Sequence, residues 1–220
     1  AGAALVGGHT SEGAELALGL SLTGLADPDR VLRKGGLRAG DRLVLTKGLG
    51  TGTLFAAEMR MRAKGRWVDG AIAVMRQSSR AAADVLRRHG TTACTDVTGF
   101  GLLGHLVEMT RASSVDVRLE LATVPALEGA LDTLSAGLTS SLHPANLRLR
   151  RAVANVDRVG ADPHYLLLYD PQTAGGLLAG VSGDRANACV EDLREQGYEQ
   201  ATIIGTVESR GDGDAPIQLV

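Results

Sequence analysis

The chain has 220 residues, with 23 Lys+Arg against 25 Asp+Glu, a net charge of −2 and five His. With 44% apolar, 22% charged and 3% aromatic residues, it is an ordinary globular chain of one large or two modest domains. That balance argues against a disordered tail, nucleic-acid or membrane partners and a base-stacking platform. Glycine is the outlier at 29 residues, about 13% against a usual ~7%, so tight turns or close backbone approaches are expected.

In chain order, residues 16–22 (LALGLSL) and 42–46 (RLVLT) are predicted strands, the first alternating at period two. Residues 53–63 and 68–88 are predicted helices, the second with Ile72, Val74, Met75, Ala82, Val85 and Leu86 as its apolar residues and Gly90 as its stop. A strand is predicted over 91–97, a short helix over 102–110, and residues 115–121 (VDVRLEL) alternate again. The tail predicts a strand at 177–181, a helix at 185–196 and strands at 202–207 and 217–220, while 137–159 is an irregular, basic excursion. Interleaved strands and helices give an α/β (α+β) class: a partial N-terminal α/β domain, residues 1–40, followed by a C-terminal α/β domain, residues 41–220. Composition marks that boundary weakly, anywhere from 35 to 91, with a change of domain also readable near Thr91.

Cys94 and Cys189 are too few for a disulfide scaffold or a four-cysteine zinc site, and both are expected as buried thiols. The longest apolar runs, such as 165–169 (YLLLY), are too short to span a bilayer, and no basic leader opens the chain, so a cytoplasmic protein is expected. The opening AGAALVGGHT has no Met and reads as a chain cut from something longer.

Glycines cluster where strands meet loops. Residues 5–10 (LVGGHT) put Gly7 and Gly8 at a predicted strand end, beside His9 and Thr10: either bare amides near a ligand or a tight turn. Residues 46–52 (TKGLGTG) enter a helix whose first amides suit an anion, but Lys47 precedes the glycines, unlike a phosphate loop. With three lysines against 20 arginines in the chain, Lys47 is an anion contact or a solvated strand-end residue. Residues 91–105 deliver Asp96 at a strand end before Gly99-Phe100-Gly101, which suits Mg²⁺ or a helix cap equally. Residues 170–176 (DPQTAGG) form a sharp turn, with ligand contact the alternative. His105 and Glu108 are expected as a surface pair, and Arg60, Arg62, Lys64 and Arg66 as a solvated face. Arg148, Arg150 and Arg151 are likewise expected as a solvated face, with slightly more weight for phosphate binding because they fall in the irregular excursion.

Residues 95–106 (TDVTGFGLLGHL) and 170–178 (DPQTAGGLL) resemble the signature segments of the selenophosphate synthetases, also called selenide, water dikinases. GGHT at 7–10 with Glu15, GLSLTG at 19–24 and TKGLGTG at 46–52 stand in that family's order, so the resemblance covers essentially the whole chain. Gly48 and Ala174 depart from it, where the family usually has Pro and Ser.

The resemblance implies the aminoimidazole-ribonucleotide-synthetase-like fold and formation of selenophosphate, AMP and phosphate from ATP, selenide and water. It implies ATP and Mg²⁺ as cofactors, and a homodimer formed through N-terminal domains. Residue by residue, it places Gly7, Gly8 and His9 against the nucleotide and Asp96 on Mg²⁺; Thr10 and Lys47 are added as candidate contacts from the glycine segments themselves. It puts the catalytic Cys or selenocysteine, its Lys and further aspartates upstream of these residues. The 220 residues alone are then expected to lack synthetase activity. Another ATP-dependent kinase of the superfamily and a non-catalytic binding or dimerisation module are the alternatives. The segment 95–106 speaks against the first, and Asp96 with Gly7-Gly8-His9 against the second.

Overall fold

The computed structural model describes residues 3–28, 31–158 and 162–220. The chain divides into two units, Ala1–Val31 and Leu32–Val220.

The first unit does not form the predicted strands. No strand is present at 5–10 or 16–22, and Leu16, Leu18, Leu20 and Leu22 are all exposed. Period-two alternation specifies a strand only where a neighbour takes its backbone groups and a core takes its apolar face.

The second unit opens with β1 (Arg42–Leu45), then α1 (Thr51–Glu58), α2 (Gly65–Arg76), α3 (Arg80–Arg88), β2 (Ala93–Asp96), α4 (Gly101–Ser113) and β3 (Val115–Leu119). It continues with α5 (Ala130–Ser135), α6 (His143–Asn146), α7 (Pro163–Leu167), β4 (Leu177–Val181), α8 (Ala186–Glu195), β5 (Thr202–Ser209) and β6 (Ile217–Leu219). The strands form one six-stranded sheet in the order β2-β4-β1-β5-β3-β6, antiparallel except for β3 with β6. The sheet runs across Thr91 without a break, since β1 and β2 both pair with β4.

Alternation along each strand feeds two cores. Leu43, Leu45, Ala93, Leu178 and Ile204 face a large cluster with Trp67 of α2, Leu102 and Leu106 of α4 and Leu134 of α5. Val44, Cys94, Ala179 and Val181 face a smaller one with Val85 and Leu86 of α3 and Cys189 and Leu193 of α8. Because both faces of the central strands are covered, β1 and β4 read as short apolar runs rather than clean alternations. Each edge strand is bonded to a neighbouring stretch of chain at one point: Cys94 N donates to Arg33 O (2.7 Å), and Ala154 N donates to Ile217 O (2.8 Å).

The predicted helix 68–88 is two helices. Tyr198 Oη donates to Ser78 O (2.6 Å) and accepts from Ala82 N (3.0 Å), fixing the break between α2 and α3. The stretch 137–159 is less irregular than expected, holding α6 and two 3₁₀ segments, Leu147–Ala152 and Val156–Arg158. Arg148, Arg150 and Arg151 are exposed there. Among the described residues, no helix is long and apolar enough to cross a membrane.

Candidate functional site

Strand order decides where the glycine segments meet. β4 lies between β1 and β2 and runs antiparallel to both, pairing Leu45 with Leu178 and Asp96 with Leu177. The turn 170–176 that feeds β4 is therefore placed between the loops that leave β1 and β2. Three segments distant in the chain converge at one end of the sheet.

The turn is the hub. Gln172 Oε1 accepts from Gly50 N (3.1 Å), Thr51 N (3.3 Å) and Thr51 Oγ1 (3.2 Å), while its Nε2 donates to Asp170 O and Oδ2, both at 2.9 Å. Asp170 Oδ2 also accepts from Gly52 N (3.0 Å). Together these side chains take the orphan amides at the start of α1, the groups an anion could otherwise have used. Thr173 N donates back to Thr51 Oγ1 (3.0 Å). Toward β2, Gln172 N donates to Thr98 O (3.0 Å) and Val97 N to Gly176 O (2.9 Å). A Cβ at Gly175 would stand 2.2 Å from Val97 O, so this approach requires glycine. Asp170 is fully buried, its Oδ1 has no hydrogen-bond partner, and burial pushes its carboxyl up to about 7 despite the bonds from Gln172, Gly52 and Thr53.

Lys47 is not the solvated strand-end residue of the alternative reading. It is buried, and its Nζ donates to Val74 O (3.1 Å), Gln77 O (2.7 Å) and Ala174 O (3.3 Å), using all three ammonium donors. It closes the C-terminal end of α2 and holds the 170–176 turn, and burial lowers its pKa. Ala174 there adopts a left-handed φ of 48°.

Asp96 stands exposed at the end of β2, before the loop 97–101. That loop is held by Asn146 Nδ2, which donates to Gly99 O (2.9 Å) and Tyr169 O (3.0 Å), and by Gly101, whose φ of +69° and 2.8 Å clearance to Leu168 O exclude a side chain. His105 is not the surface residue expected beside Glu108: it is only 4% exposed, and its Nε2 faces Thr98. A cleft of about 480 Å³ opens beside Gly99, lined by Thr51, Phe55, Arg60, Ser140, Leu142 and Thr173. Cys94 is buried, and burial followed by the Asp96 carboxylate pushes its thiol up to about 12, which suits packing and not nucleophilic work. Cys189 is buried likewise. The basic run is a solvated face, with Arg66 on Glu128 (2.6 Å) and Lys64 over the Trp67 ring (4.7 Å).

Gly7, Gly8, His9 and Thr10 belong to the first unit and are exposed, without the strand end expected to present them. Among the described residues, no group of three or more His, Cys, Asp or Glu is placed to hold a metal ion. Asp96 offers one accessible carboxylate. That fits Mg²⁺ held mainly by phosphate oxygens and water, and does not fit an enclosed protein cage.

Sequence reasoning marked these segments but missed the working parts: Asp170, Gln172, Asn146 and His105. Their types carry no signal until the strand order makes them neighbours.

A six-stranded sheet, antiparallel but for one pair, with helices on both faces and glycine loops joined at one end, defines a class. Residues 38–217 match the family model "AIR synthase related protein, C-terminal domain", and the chain belongs to that family. Among curated relatives, it is 45% identical over 215 residues to the selenide, water dikinase of Trichlorobacter lovleyi, covering 96% of this chain and 61% of the relative. It is 36% identical over 216 residues to that of Clostridioides difficile, with the same two coverages of 96% and 61%. The chain thus spans about three-fifths of the length of these relatives. Among solved structures, the hydrogenase maturation protein HypE superposes with a TM-score of 0.62 at 21% identity, over 88% of this chain and 52% of that one. HypE in complex with ATP gives 0.57 at 19% identity, over 87% and 50%. At these identities the likeness shows the fold alone.

Proposed function

We propose that this chain is the C-terminal portion of an ATP-dependent selenophosphate synthetase, and that it supplies one wall of a phosphoryl-transfer site. The observation that carries the proposal is the 36–45% identity to selenide, water dikinases across 96% of the chain. The overall reaction is ATP, selenide and water to selenophosphate, AMP and phosphate. The remaining catalytic groups, including the nucleophile, come from sequence outside these 220 residues.

Asp96 is the residue proposed to hold Mg²⁺, and Gly7, Gly8, His9 and Thr10 the segment proposed to contact the nucleotide. When bound, Mg²⁺ supplies neutralisation of phosphate charge. What this chain adds is position. Asp96 sits on a strand end whose following loop is fixed by Gly176, Gln172 and Asn146, so the carboxylate is presented from a rigid support. Lys47 contributes by bracing the turn. ATP in the HypE complex is consistent with nucleotide use on this fold. The proposal includes a cytoplasmic homodimer joined through N-terminal domains.

A chimera in which this chain replaces the matching three-fifths of the T. lovleyi enzyme tests the proposal. It is expected to form AMP from ATP only when selenide is supplied. A folded chimera that releases no AMP, or releases it equally without selenide, contradicts the proposal.

A further inference from the structure

We infer that His105 is a positioning residue, which fixes the loop leaving Asp96 through an imidazole nitrogen whose single lone pair is shared by the Thr98 amide and hydroxyl. The inference rests on the proposed role of Asp96 for its consequence, but its geometry stands independently.

Thr98 N lies 3.0 Å and Thr98 Oγ1 3.1 Å from His105 Nε2. A backbone amide can only donate, so Nε2 is the acceptor and the neutral ring carries its proton on Nδ1. Nδ1 has no hydrogen-bond partner, and lies 3.7 Å from Glu108 Oε2, an oxygen that Lys34 Nζ holds at 2.6 Å. The Phe100 ring packs at 5.8 Å between centroids. On its other side Thr98 O accepts from Gln172 N (3.0 Å) and Gly101 N (3.0 Å). Thr98 is thereby clamped at its amide, hydroxyl and carbonyl. Two of these attachments run through His105, and no other side chain holds the loop from within α4.

Proton uptake at Nε2 would set a donor against the Thr98 amide and release the loop. The surroundings oppose that: burial lowers the pKa most, the carboxylates of Glu108 and Asp96 raise it, and Lys34 lowers it. A group that acts through Thr98 on the carboxylate two residues earlier is expected to show in cation affinity, as groups supporting a metal ligand do.

The test uses the 220-residue chain. In the wild type, ¹⁵N NMR should find His105 as the Nδ1–H tautomer and the Thr98 amide protected from hydrogen exchange. His105→Leu should speed Thr98 exchange at least ~10-fold and weaken Mn²⁺ binding, read by paramagnetic broadening, by ~10-fold. His105→Gln, whose Oε1 can stand where Nε2 does, should restore both toward wild type. An Nε2–H tautomer, a freely exchanging Thr98 amide in the wild type, or a Gln variant as impaired as the Leu variant would overturn the inference. The tautomer, exchange and Gln readouts decide it even if the Leu variant does not fold. Asp96→Asn is the separate control: Mn²⁺ broadening unchanged by it would sink the role of Asp96 while leaving the tautomer and exchange results to judge His105.

Discussion

Gln172 and Asp170 show how much depends on two side chains. Gln172 takes two amides and a hydroxyl of 50–51. Gln172→Ala should therefore cost about 2–3 kcal/mol in urea unfolding, since buried donors are left unpaired. Asp170 sets a pH dependence. Its folded pKa of about 7 lies above the ordinary 3.8, so the folded state holds the proton more tightly. Its contribution is fully present below about pH 4 and is lost as pH rises through about 7. Asp170→Asn should flatten that decline, making the variant relatively more stable at pH 8 than at pH 5, on the order of a few kcal/mol. A steeper decline in the variant would show the carboxylate to be favoured. Ala174→Gly should raise stability by about 0.5–1 kcal/mol, because the left-handed φ of 48° strains alanine. At this scale the sequence showed Asp170–Gly176 to be a turn. It could not show that the turn's polar side chains are buried, because turn chemistry is read from the residues' own backbone, whereas their burial depends on Thr51 and Thr98.

Among elements, strands that pair in the sheet were legible, and an unpaired segment and a composite helix were not. β1, β2, β3, β4, β5 and β6 lie where apolar runs or alternation placed them. Residues 16–22 alternate as cleanly as β3 yet form no strand, because alternation describes a face and does not supply a partner. The helical pattern over 68–88 continues through Gln77–Ser79, and it is interrupted by long-range partners, Tyr198 at Ser78 and Ala82 and Lys47 at Gln77. Removing that hydroxyl with Tyr198→Phe should cost about 1–2 kcal/mol and raise hydrogen exchange at the start of α3; unchanged exchange there would mean the local Ser78 turn suffices. The insertion of β4 between β1 and β2, which builds the candidate site, is a long-range pairing that no local period encodes.

At the scale of the molecule, the chain spans about 61% of its curated relatives and brings one accessible carboxylate to a prepared end of the sheet. Lys47 braces that end from within through three carbonyls. The central claim is that Asp96, presented by this framework, serves phosphoryl transfer. The measurement that tests it is selenide-dependent AMP formation by the T. lovleyi chimera carrying Asp96→Asn, beside its unaltered parent. The account expects a loss of at least ~100-fold with thermal unfolding unchanged, the scale of removing one group that stabilises transition-state charge. Activity within a few-fold of the parent would remove Asp96 from the site and contradict the account.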